Sequence, residues 1–141
     1  MKLVDVNVLV YARDEDSPHH RVAKHWLDQA LSGTTPVGFP WLVLVGFVRL
    51  VTHSRVMASP LTPAAAMDTV DHWLGARSAH VLHPGPNHAR IMRELLDAAG
   101  AAGNLVNDAH LAALAAEHKA TVVSFDDDFD HFPGVRWERP R

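Results

Sequence analysis

The chain opens on an apolar run, MKLVDVNVLVYA, in which one carboxylate and one amide, Asp5 and Asn7, interrupt a series of valines and leucines. A continuous run rich in valine fits a strand buried on both faces, so Met1–Val10 is predicted as the first strand. Side chains alternate along a strand, which would put Asp5 and Asn7 on one side of it. DSPHHRVAKHWLDQALSG predicts a helix, with Ser17 as N-cap, Pro18 in the first turn and Gly33 as the stop. Val22, Trp26, Leu27 and Ala30 would form its apolar stripe. TPVGFP reads as a short strand or connection. PWLVLVGFVRLVTH has the valines of a strand, but its length and its Pro40 start favour a helix, and we read it so. It is apolar on nearly all sides. That suits a buried core helix and a helix with one face kept for a partner equally well.

LTPAAAMDTVDHWLGA predicts a helix capped by Thr62 with Pro63 behind the cap, and HVLHP a strand. NHARIMRELLDAAG and NLVNDAHLAALAAEHK predict helices opening at Asn87 and Asn104. ATVVSFD and VRWERP complete the series as strands. Strands alternating with helices predict an α/β sandwich around a mostly parallel sheet. Functional sites in such folds gather at the carboxyl ends of the strands, where Asp5 and Asp126 would lie. The 141 residues suit one domain, residues 1–141, without repeats or a linker.

Composition narrows the chemistry. The absence of cysteine excludes disulfides and thiolate metal sites. The longest apolar stretch, FPWLVLVGFV, is too short to span a bilayer, and the first residues lack a leader-peptide pattern. The expected location is the cytoplasm. A formal net charge of -3 argues against holding nucleic acid by charge alone, yet leaves a nuclease open.

A carboxylate in an apolar run needs hydrogen bonds, a cation or a metal. Three other places supply acids that could meet Asp5. In NLVNDAHLAALA, Asn104 and Asp108 are four apart and share a predicted helix face near its positive end. Read alone, Asp108 is more simply an ordinary helix-start acid. In VVSFDDDFDHF, the predicted strand runs directly into Asp126 and Asp128, with Asp127 and Asp130 read as solvated. In RDEDSPHH, Asp14, Glu15 and Asp16 read as a solvated loop. Converging carboxylates without thiolates suit a hard cation, Mg²⁺ or Mn²⁺, and hydrolysis of a phosphodiester. The eleven histidines form no H-E-x-x-H pattern, and most read as surface or helix-flank residues.

Taken in order, VDVNVLVYA, GFVRLVTHSRV, GNLVNDAHLAALA, TVVSFDDDF and FPGVRW resemble the PIN-domain nucleases. Within them they resemble the VapC-like ribonuclease toxins of bacterial toxin–antitoxin pairs. The resemblance implies a PIN-like α/β/α sandwich and a metal-dependent endoribonuclease. It places catalytic, metal-binding roles on Asp5, Asp108 and Asp126, with Asp128 as a supporting metal ligand. It puts Asn7, Asn104 and Ser124 around them as polar supports. It also implies an RNA substrate, a small antitoxin as partner and a homodimer. PWLVLVGFV is the candidate docking surface, and Arg13, Arg21, Arg49 and Arg55 are available to RNA. One departure stands out: many PIN domains carry a glutamate three residues before an arginine in the middle helix, and here Gly46 precedes Arg49. Two other readings stay open: a degenerate PIN domain that binds without cutting, and an aspartate-nucleophile phosphatase, for which Asn7 occupies the place of the usual second aspartate.

Overall fold

The computed structural model describes residues 1–100 and 102–141. Among these, five short strands form one sheet: β1 (Lys2–Val4), β2 (Val37–Pro40), β3 (Ala79–Leu82), β4 (Thr121–Val123) and β5 (Trp137–Glu138). Their spatial order is β3-β2-β1-β4-β5, and every neighbouring pair is parallel. Six α-helices complete the described fold: α1 (Val6–Arg13), α2 (His20–Ser32), α3 (Trp41–Val51), α4 (Pro63–Leu74), α5 (His88–Ala99) and α6 (Val106–His118). Leu3, Val4, Phe39, Val122 and Val123 are fully buried, so the central strands carry apolar side chains on both faces, as a covered parallel sheet requires. None of the described helices is long and apolar enough to cross a membrane.

The opening run is not one long strand. β1 ends at Val4, and Val6–Arg13 is helical. Asp5 makes the switch. Its backbone stays extended, and its Oδ1 accepts a hydrogen bond from the Val6 amide at 2.7 Å. A capped helix start here outweighs the strand preference of the valines, since a helix buried by its neighbours accepts Val8, Leu9 and Val10 as well as a strand would. Asp5 and Asn7 therefore do not alternate along a strand; the first helical turn brings the two side chains together instead.

Other boundaries move for similar reasons. α2 begins at His20, because Ser17 closes a turn before it: the Ser17 Oγ accepts from the His19 amide and the Ser17 carbonyl from the His20 amide. Its buried residues are Ala23 and Leu27, while Val22 is exposed. α6 begins at Val106, preceded by a 3₁₀ turn at Gly103–Leu105 that contains Asn104. Pro63 follows its Thr62 cap as expected, with Thr62 Oγ1 accepting from the Ala65 amide. Gly38 in β2 has a packing role: a Cβ there would fall 2.4 Å from Leu82 Cδ1 of β3.

α5 and α6 are tied by a polar network. His88 Nδ1 lies 2.5 Å from Glu117 Oε1, His88 Nε2 lies 2.8 Å from His110 Nδ1, and the Gly85 amide donates to Glu117 Oε2. His88 is thus an interior link rather than a surface residue.

Candidate active site

β1 and β4 lie side by side, so their carboxyl ends deliver Asp5 and Ser124 to one place. The Asp5 amide donates to the Val123 carbonyl, extending the parallel ladder by one residue. Beyond it the side chains take over. Ser124 Oγ donates to Asp5 Oδ2 at 2.7 Å, and accepts from Asn7 Nδ2 at 3.0 Å and from the Asp126 amide at 3.0 Å. One donor and two acceptors exhaust a hydroxyl's capacity. Asn7 Nδ2 also reaches Asp5 Oδ2 at 3.3 Å, and Asn7 Oδ1 accepts from the Phe125 amide at 3.1 Å. Asp5, only 5 % exposed, is therefore fixed through both oxygens. This network leaves Asn7 no free proton-transfer role of the kind a phosphatase's second aspartate plays.

Asp108 stands in the first turn of α6 and faces the same cluster. Its pKa is pushed up to about 7, first by burial, then by the charges of Asp5, Asp128 and Asp126. Burial also raises the pKa of Asp5, opposed by its bonds to Ser124 and the Val6 amide and reinforced by Asp126 and Asp128. Asp128 is raised as well, by desolvation and by Asp126. Asp5, Asp108 and Asp128 thus ionise against burial and acidic neighbours, and among the described residues neither they nor Asp126 joins an ion pair.

Asp126, Asp127 and Asp128 form a tighter subset, each offering an oxygen within 4.8 Å of the others'. Asp127 is exposed, as its reading as a solvated acid expects, and it also offers an oxygen to this subset. Its neighbours in the run DDD were the available signal for that contribution. Asn104, in contrast, is exposed in the 3₁₀ turn and makes no side-chain hydrogen bond among the described residues. The shared helix face with Asp108 does not exist, because the helix starts after it.

Gly46 lies where α3 crosses the start of α1. A Cβ at Gly46 would sit 3.3 Å from Val6 Cγ2, immediately beside Asp5. The glycine in place of the usual glutamate therefore accompanies a close helix approach next to the cluster. The same helix exposes an apolar strip on its outer side. Trp41 is 47 % and Val45 60 % exposed, and with Leu44, Val48, Met67 and Val70 they line a groove between α3 and α4.

A parallel sheet whose carboxyl edge gathers aspartates from three elements defines a class, and the sequence falls in it: residues 2–135 match the PIN domain, and the chain belongs to that family. Among curated relatives, it is 51 % identical over 140 residues to Ribonuclease VapC37 of Mycobacterium tuberculosis, covering 99 % of this chain and 97 % of that one. It is 42 % identical to Ribonuclease VapC25 of the same organism, covering 99 % of each. The fold is also that of VapC20 of M. tuberculosis, described as a sarcin–ricin-loop-cleaving toxin (TM-score 0.69, 19 % identity, 96 % of this chain and 99 % of that one). VapBC2 of Rickettsia felis, solved with a promoter DNA fragment, matches at TM-score 0.72 and 20 % identity over 99 % of this chain and 98 % of that one.

Proposed function

We propose that this chain, as one nuclease domain over residues 1–141, is a metal-dependent endoribonuclease and the toxin of a toxin–antitoxin pair acting in the cytoplasm. The observation that carries the reading is the gathering of Asp5, Asp108, Asp126 and Asp128 at one edge: burial first, and acidic neighbours after it, raises the pKa of Asp5, Asp108 and Asp128, with no neutralising side chain paired to them among the described residues. The donor set is entirely oxygen, which fits Mg²⁺ or Mn²⁺ and not a thiolate-seeking metal. Asp5 and Asp108 would hold the cation, with Asp126 and Asp128 completing its shell and Asp127 within reach of both. A divalent cation in such a shell supplies charge compensation for a phosphodiester and makes water a stronger nucleophile at neutral pH.

The chain's own residues set the geometry. Ser124 and Asn7 orient Asp5, and the Ser124 bond lowers its pKa against the burial that raises it. The N-terminus of α6 favours the anionic form of Asp108, which its acidic neighbours oppose. We assign the α3–α4 groove to the antitoxin, because it is apolar and exposed on a helix that begins beside the catalytic edge. The relatives named as VapC ribonucleases support this reading of the activity.

The test is cleavage of a mixed RNA pool by the purified, antitoxin-free chain as Mg²⁺ or Mn²⁺ is added. Cleavage should require metal and vanish in Asp5→Ala. Cleavage by Asp5→Ala at the wild-type rate sinks the site assignment. Metal binding without any cleavage favours the degenerate reading that Gly46 invites.

A further inference from the structure

We propose that Tyr11, His19 and Phe125 form a stacking platform for an unpaired nucleobase beside the carboxylate cluster, an inference that deepens the ribonuclease reading and rests on it. The three rings come from three separate segments: the end of α1, the turn before α2 and the residue after Ser124. Their centroids form a near-equilateral group, with Tyr11–His19 at 5.0 Å, His19–Phe125 at 4.8 Å and Tyr11–Phe125 at 5.3 Å. The group is exposed enough to be reached: His19 is exposed, and Tyr11 and Phe125 are half-buried. Its other side rests on the core, which holds the rings in place. A contact between His20 Nδ1 and the Tyr11 carbonyl, at 2.8 Å, fastens the turn to α1.

The platform is joined to the acids through the backbone and one amide. Phe125 stands between Ser124, which donates to Asp5, and Asp126. Its amide donates to Asn7 Oδ1, the same side chain that reaches Asp5. A base seated there would belong to a nucleotide close to the phosphate held at the cluster.

Charge explains why such a platform is needed. The chain carries a formal net charge of -3, and its acidic cluster repels every phosphate that no cation covers. Affinity for RNA must then come largely from contacts without charge. Base stacking on aromatic side chains does this, and it tolerates any sequence. Arg139 adds one cation at the rim: its guanidinium donates to the Phe125 carbonyl and lies 5.8 Å from the Trp137 ring. A base in a duplex has both faces covered, so only a looped or single-stranded segment can use the platform.

The experiment is a binding titration in an Asp108→Asn background, which keeps the RNA intact, with Mg²⁺ present. The probe is a short fluorescein-labelled single-stranded RNA of random sequence, beside an abasic strand of equal length. Tyr11→Leu, Phe125→Leu and His19→Ala should each weaken binding of the base-bearing strand about tenfold. Salt dependence should not change, because no phosphate contact is lost. The abasic strand should bind all versions equally weakly. With Asp108 restored, the same substitutions should raise KM and spare kcat. His19 is an exposed turn residue, so its variant folds even if a Phe125 variant does not. Wild-type affinity in the His19 and Tyr11 variants, while the unsubstituted chain cuts this RNA, overturns the platform and leaves the ribonuclease standing. An unsubstituted chain that neither binds nor cuts RNA removes the ribonuclease reading and the platform with it.

Discussion

Single atoms decide the state of Asp5. Ser124 Oγ is the donor that most lowers its pKa against the burial that raises it, and the same oxygen accepts from Asn7 and from the Asp126 amide. Ser124→Ala deletes all three bonds at a fully buried position. Leaving buried polar groups without partners costs about 1–3 kcal/mol each, and loosening the support of a metal ligand weakens binding roughly 10–100-fold. The chain should stay folded with a lower Tm, and half-maximal cleavage should need at least about tenfold more Mn²⁺. An unchanged metal requirement would mean that Asp5 is not a ligand. Asp5 itself has two duties that substitution can separate. Asparagine caps a helix as well as aspartate does, so Asp5→Asn should retain the α1 start and lose metal-stimulated cleavage. Asp5→Ala should lose both, with an added cap cost of about 1 kcal/mol visible as a lower Tm without metal.

Elements were legible in the sequence where punctuation and period agreed. Thr62-Pro63 opened α4 as read, and the helical reading of the valine-rich PWLVLVGFV run holds because its length and its start after Pro40 fit a helix docked on a sheet. The order of strands and helices was enough for a parallel α/β sandwich. The misreadings share a cause, since a short side-chain cap or turn redirects the backbone where average hydrophobicity predicts continuation. Asp5 ended β1 six residues early, Ser17 delayed α2, and a 3₁₀ turn removed Asn104 from α6. The grouping of Asp5, Asp108, Asp126 and Asp128 was legible because an acid next to an apolar run is conspicuous. The aromatic group was not legible, because its three rings meet only in space. α3 also resolves a choice the pattern left open: its inner residues Val43, Leu44 and Phe47 are buried, while Trp41 and Val45 face outward. Trp41→Glu should therefore fold with a Tm near wild type and cleave RNA normally. Its affinity for the cognate antitoxin should fall, by about tenfold or more if Trp41 is an anchor of that interface. Co-purification and calorimetry with the antitoxin check this, and undiminished affinity would move the docking surface elsewhere.

The whole molecule is poised between a fold and a charge problem placed at its edge. In the metal-free chain Asp108 titrates at about 7, far above the unfolded aspartate range near 3.8. Asp5, Asp126 and Asp128 all face it and all disfavour its ionised form. The sign follows from proton counting. Between those two pKa values the folded state holds a proton that the unfolded state has released, so each rise in pH through this window removes stability. The metal-free protein should therefore melt at progressively lower temperature from about pH 5 to pH 8, flattening once Asp108 is fully ionised. Asp108→Asn should melt higher than wild type at pH 8 and show a shallower slope, and the difference between the two chains isolates Asp108 from every group they share. Adding Mn²⁺ should change the pattern, because a cation binds the ionised carboxylates and competes with protons for them. At about a hundred times its dissociation constant, a ligand that binds only the folded state adds about 2.7 kcal/mol. For a chain of this size that is a rise of several degrees in Tm, and it should grow with pH in wild type and shrink strongly in Asp108→Asn. Melting curves in EDTA and in Mn²⁺ across the pH range measure both effects at once. A metal-free Tm independent of pH, or a Mn²⁺ shift that is the same in the two chains, would mean that the four carboxylates neither repel one another as the structure places them nor share a cation.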